Sequence, residues 1–168
     1  MSNWVDAIEG SALPTWVRES PSMFAYTHIL TWHAIGLSLI VGLNWVIALR
    51  LLGRVPAIPL TRLRSFVPLM YLGLIVNAIS GGLLLAAALH DNLKSLYFLE
   101  KIIFIALAVW NLEITRRRVF TDPALARGEV PALGRRCAWL ALLLWGAAIV
   151  CGRITEYPGI VGNLFGIH

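Results

Sequence analysis

The sequence predicts an all-α integral membrane protein, a four-helix bundle preceded by an N-terminal interfacial amphipathic segment. Three observations carry that expectation. Of the 168 residues, 58% are hydrophobic and only 14% are charged, with a mean hydropathy of +0.75. Soluble domains average roughly 45–50% apolar and about 25% charged, so the composition excludes a disordered chain and argues against a soluble globule. Four apolar runs approach the length of about 20 residues that crosses a bilayer. The basic residues, finally, are distributed unevenly around those runs.

Taken in order, residues 1–22 form the interfacial segment. Trp4, Val5 and Ile8 can share one face of a short helix capped by Ser2 or Asn3, and Trp16 and Val17 follow the break at Pro14. Such a segment is expected to lie on the outer leaflet. It has no basic n-region, since Asp6 and Glu9 precede Arg18, so no cleavable signal is expected and the first span drives insertion. The spans are placed at about 24–49, 66–89, 96–115 and 137–153, the last being short and borrowing a turn at each end. Short connections make neighbouring helices antiparallel. Residues 154–168, with Tyr157, Pro158 and several glycines, read as a periplasmic tail. The whole of 1–168 is one membrane domain.

Arginine placement sets the orientation. Arg50, Arg54, Arg62 and Arg64 lie between spans one and two. Arg116, Arg117, Arg118, Arg127, Arg135 and Arg136 lie between spans three and four. The opposite side holds Arg18, Lys94, Lys101 and Arg153, a split of ten against four. Both termini and the His90–Ser95 loop are therefore expected to be periplasmic, in a bacterial inner membrane. The same asymmetry accounts for the net charge of +5 and pI near 9.8 without invoking nucleic acid; the Arg116–Arg118 run is a stop signal. Cys137 and Cys151 are 14 residues apart, about 21 Å along a helix, too far for a disulfide.

Ionisable groups inside a span are costly and mark functional candidates. Counted up from the cytoplasmic arginines, His33 is 17 residues above Arg50, Glu100 and Lys101 are 16 and 15 above Arg116, and Arg153 is 17 above Arg136. All four then lie roughly 22–26 Å from the cytoplasmic edge, in one layer toward the outer face. His28 is about 7 Å higher than His33, and His90, ending span two, is near the level of His28. Imidazoles with cationic side chains suit haem b, iron held by histidine and propionates by Arg or Lys. His and Glu together would equally suit a copper or zinc ion. The bland alternative is that the histidines are interfacial, that Lys101 and Arg153 snorkel, and that Glu100 pairs with one of them. His28 and His33 are five apart and point about 140° away from each other, so one of them faces the bundle. His168 is incidental.

Small residues support close packing. Gly36 and Gly42 lie in span one, and Gly73, Asn77 and Gly81 recur every four residues in span two, with Ser80 and Gly82 nearby. Such stripes let helices approach or leave room for a flat cofactor. Asn44, Asn77 and Asn111 are buried amides that need partners. Trp4, Trp16, Trp32, Trp139 and Trp145 read as belt or packing residues, with an aromatic groove for a quinone as the further reading. No P-loop, dinucleotide-binding glycine pattern, covalent haem-attachment motif or nucleophile motif is present, so a non-catalytic role is expected.

The run His33-Ala34-Ile35-Gly36-Leu37-Ser38-Leu39-Ile40-Val41-Gly42, the ending Leu49-Arg50-Leu51-Leu52-Gly53, the pair Ser80-Gly81 and the opening Phe98-Leu99-Glu100-Lys101 continuing to Asn111 resemble a family of small, uncharacterised bacterial inner-membrane proteins of about four helices. More distantly they are similar to copper-resistance D-type membrane domains and to the membrane anchors of b-type cytochromes. The resemblance spans about 15–115 and singles out His33, Arg50, Gly81, Lys101 and Asn111. It departs at Ala48, where the family pattern has Asp. His28 and His90 are outside the pattern.

The expectation for function is a haem b-binding electron-transfer subunit linking the quinone pool to a periplasmic redox partner. His90 and either His28 or His33 would be the axial ligands, with Lys101 and Arg153 at the propionates. The alternative is a non-catalytic accessory or assembly subunit of a larger membrane complex, or a copper-handling protein using His28, His33, His90 and Glu100.

Overall fold

The computed structural model describes residues 3–22 and 25–156. The Ser2 cap, the start of the first span at Phe24, the tail residues 157–168 and His168 lie outside them. All regular structure among the described residues is helical: α1 (Asn3–Glu9), α2 (Ala12–Glu19), α3 (Tyr26–Leu51), α4 (Leu60–Ser65), α5 (Val67–Ala87), α6 (Leu89–Lys94), α7 (Leu96–Ile114), α8 (Pro123–Ala126) and α9 (Ala132–Glu156). A π-helical turn, Thr115–Val119, prolongs α7.

Among the described residues, three helical stretches are long and apolar enough to cross a membrane: Tyr26–Leu51, Leu60–Ala87 read through Phe66, and Ala132–Glu156. The third expected span, α7, is 19 residues long and carries Glu100 and Lys101 near its start and Glu113 near its end. Only 102–112 is uncharged between them, which sets it apart from the other three. Two boundaries also differ from expectation. The periplasmic loop expected at His90–Ser95 is largely the short helix α6, and 154–156 continue α9 instead of opening the tail.

The long helices display apolar side chains outward. Leu72, Ile75 and Ile79 on α5, Ile103 and Trp110 on α7, and Trp139 and Leu143 on α9 are all exposed. A soluble protein rarely shows contiguous apolar surface on this scale, whereas lipid accepts it. Trp145, by contrast, is 1% exposed and belongs to the core, not to an aromatic belt.

The chain forms two compact units, Met1–Gly42 with Pro68–Lys94 and Leu43–Val67 with Ser95–His168. In the first, α3 and α5 run antiparallel and touch backbone to backbone. A Cβ on Gly36 would come within 2.8 Å of the Gly73 carbonyl, and one on Gly73 within 2.9 Å of the Gly36 carbonyl. Gly42 and Gly82 face open space, so only part of the glycine pattern serves this crossing. The N-terminal helices dock on the corner between α5 and α6. The Arg18 guanidinium donates to the Ala87 carbonyl at 3.4 Å, and the Glu9 carboxylate accepts from the His90 amide at 2.7 Å. A cation thus meets a helix C-terminus and an anion a helix N-terminus, as the peptide dipoles favour. Val5, Pro14 and Val17 are buried while Trp4, Leu13 and Trp16 remain exposed.

In the second unit α7 and α9 pack antiparallel along their length. The Asn111 amide donates to the Cys137 carbonyl at 2.9 Å at one end, and the Cys151 thiol approaches Glu100 at 3.8 Å at the other. The last turn of α3 closes on Gly53 (φ +76°), with Arg54 N bonded to the Leu49 carbonyl and Gly53 N to the Arg50 carbonyl. This left-handed termination is one that glycine adopts without strain. Arg50 reaches forward to the Ile58 carbonyl at 2.7 Å and so fastens the loop.

Gly73→Leu should therefore force α3 and α5 apart and lower stability by about 1–3 kcal/mol or more, the range for overpacking, read as a drop in melting temperature in detergent. Gly82→Ala, at a position with room, should leave melting unchanged or raise it.

Candidate functional site

His33, two turns into α3, is half-buried against α5. Its Nδ1 lies 3.1 Å from the Asn77 carbonyl and 3.1 Å from Ser80 Oγ. The carbonyl only accepts, so Nδ1 carries the proton. The Ser80 hydroxyl is directed to the Val76 carbonyl at 2.7 Å and accepts from the ring as well. The proton on Nδ1 is thereby fixed, a feature that the neutral Nδ1–H tautomer and the imidazolium share. Asn77 reciprocates: its side-chain amide donates to the His33 carbonyl at 2.8 Å. Gly81 faces the ring, where a Cβ would come within 3.0 Å of Cε1. Residues 33, 77, 80 and 81 thus form one interlocked group, possible because Gly36 and Gly73 bring the two backbones together.

The other two histidines of this unit are set differently. His28 is exposed on the first turn of α3. His90, on α6, has Nε2 2.6 Å from the Lys94 ammonium. Lysine can only donate, so the His90 lone pair is engaged by its own helix. A ligand role for His90 would require that bond to be released.

In the second unit the contacts set the first turns of α7 beside the last turns of α9. Glu100 meets Cys151, which is buried. Lys101 lies flat across Gly152, its Cδ, Cε and Nζ each 3.4 Å from where a Cβ would stand. A larger residue at 152 would deny the lysine this path. Arg153 is exposed on the next residue. Glu100, Lys101 and Arg153 therefore belong to one stretch of this helix pair, while His28, His33 and His90 belong to the other unit.

Among the described residues no group of three or more His, Cys, Asp or Glu is gathered in a way that could hold a metal ion. Both cysteines are buried free thiols. An apolar groove of about 240 Å³ runs between α3 and α5, lined by Ile29, Trp32, Val76, Ile79, Ser80 and Leu83. In the sequence Ser80 reads as a small residue beside the Gly73–Gly81 stripe and as half of the Ser80-Gly81 pair; its position three after Asn77 is the signal that both can reach one partner. The Glu9 and Arg18 contacts had no such signal, because their partners are backbone groups far along the chain.

Compared with family models, curated proteins and solved structures, the chain matches none.

Asn77→Leu should remove one bond of the interlocked pair and keep the other, since the carbonyl that holds His33 Nδ1 is main chain. The expected loss is about 0.6–1.7 kcal/mol, the range for hydrogen bonds between membrane helices, measured by thermal or denaturant unfolding in detergent. Gly152→Leu should cost stability in the second unit by displacing Lys101.

Proposed function

We propose that the chain is a four-helix inner-membrane protein, α7 being its fourth span and both termini periplasmic, and that it binds haem b as a non-catalytic electron-transfer subunit between the quinone pool and a periplasmic redox partner. The ten-against-four distribution of basic residues supports the orientation. The exposed apolar face of α7 supports its burial in lipid, with Glu100 and Lys101 near the outer interface and Glu113 paired with Arg116 and Arg117 at the inner one. The exposed Trp4, Leu13 and Trp16 suit an outer-leaflet anchor.

The observation that carries the haem reading is the pair of hydrogen bonds at His33 Nδ1. Histidines that ligate metal commonly donate their second ring N–H to a carbonyl or carboxylate, which fixes the ring and raises the basicity of the ligating nitrogen. His33 has that arrangement at Nδ1, which is held by the Asn77 carbonyl and Ser80 Oγ, and Nε2 would be the ligating nitrogen. The donor set also favours haem over a bare copper or zinc ion. A bare ion needs several protein ligands, and no such group is gathered among the described residues. A porphyrin brings four nitrogens of its own and asks the protein for one or two. When bound, haem supplies a one-electron couple. His33 would hold the iron.

A second reading is favoured by a specific observation: His33 and Asn77 bond each other's main-chain carbonyl regions across a glycine crossing, so the same residues serve as a helix clasp. On that reading the chain is an accessory or assembly subunit of a larger membrane complex.

A reduced-minus-oxidised spectrum of the purified protein separates the two. The haem reading expects a sharp b-type α band that His33→Ala abolishes. A colourless, folded wild-type protein leaves the accessory role. Topology is checked independently: reporters placed at 90–95 and at 121–131 should fall on opposite sides of the membrane, whereas the same side for both would show that α7 does not span.

A further inference from the structure

Four buried polar side-chain atoms among the described residues make no hydrogen bond with the protein: Asn44 Nδ2, Trp45 Nε1, Asn111 Oδ1 and Trp145 Nε1. All four lie in the second unit. A buried donor without a partner costs about 1–3 kcal/mol, so each asks for an explanation. For Asn44 the fold supplies one. A small cavity of about 10 Å³ opens beside it, and Leu51, Leu112, Thr115, Cys137 and Ala141 are among the other residues lining it. That is close to the minimum space for one water molecule.

The lining has the right polarity as well as the right size. Asn44 is 4% exposed and Thr115 is 5% exposed. The Thr115 hydroxyl spends its proton on the Asn111 carbonyl at 2.9 Å and keeps a lone pair to accept with. The cavity therefore offers a donor from α3 and an acceptor from the start of the π-helical turn. A void lined only by hydrocarbon would stay dry, but one with two complementary polar groups holds water.

We propose that this cavity is a binding site for a single structural water, which accepts from Asn44 Nδ2 and donates to Thr115 Oγ1. It stands apart from the haem reading, since none of its residues is a candidate ligand. Its place also explains how it is supplied: Asn44 is six residues from Arg50, Thr115 is next to Arg116, and Cys137 is next to Arg136. The site is within about two turns of the basic face. One water there would tie α3 to the point where α7 changes its hydrogen-bond register.

Crystals of the full chain grown in a lipid mesophase, at a resolution that shows ordered solvent, test the site directly. The expected result is one isolated peak about 2.7–3.2 Å from both Asn44 Nδ2 and Thr115 Oγ1. No peak, or an Asn44 amide turned onto a protein carbonyl, overturns the proposal. Asn44→Leu, nearly equal in size, gives a second reading. Where water is bound, the variant removes the hydrogen bond from Asn44 to it and melting falls by about 2–4 °C. Where the cavity is dry, the variant removes an unpaired donor and melting rises.

Discussion

The approach of α3 to α5, main chain against main chain at Gly36 and Gly73, is the constraint on which the first unit rests. Between apolar helices in lipid there is little hydrophobic gain, so association depends on close packing and on hydrogen bonds between helices. Both follow from the same two missing side chains. Without them the backbones would stand further apart, and neither His33 nor Asn77 could reach the other's main chain at 2.8–3.1 Å. The imidazole's orientation is thus a product of packing. The ring is held in one rotamer, and the carbonyl fixes a proton on its Nδ1.

The second unit solves a similar problem differently. Glu100 and Lys101 enter α7 near its start, and the cost of that placement is moderated by α9. Gly152 opens a path along which the lysine side chain lies against α9. Glu100 meets the Cys151 thiol instead of a cation. At the other end of α7, Glu113 is paired with Arg116 and Arg117, and Asn111 is anchored to the Cys137 carbonyl. Polar groups near the helix ends are satisfied mostly by near neighbours or by the facing helix, and the middle of the pair is left to apolar contacts.

Much of the architecture was legible because composition and charge act through simple rules. Long apolar runs become helices, arginines mark their ends, and glycines and asparagines at intervals of four mark a face. Asn77 and Asn111 each donate to a carbonyl across a helix interface, whereas Asn44 Nδ2 and Asn111 Oδ1 make no hydrogen bond with the protein. What was not legible depends on pairing between distant positions. Nothing local told that Gly81 would face His33, that His90 would give its lone pair to Lys94, or that Glu9 and Arg18 would hold the α5–α6 corner. The break after Ala87 was hidden by an apolar stretch with no proline or glycine at the turn, so α6 read as loop. The π-helical turn at Thr115 was masked by a run of arginines that looked like the end of a helix.

The docking of Arg18 on Ala87 and of Glu9 on His90 joins positions 69 and 81 residues apart. A ribosome releases the amino end first, so the opening helices emerge well before their seat exists. Until α3, α4 and α5 have been made and inserted, that early segment has only the membrane surface to rest on, and its tryptophans suit such a wait. Its final placement then follows the synthesis of α6, when the α5–α6 corner first exists to receive it.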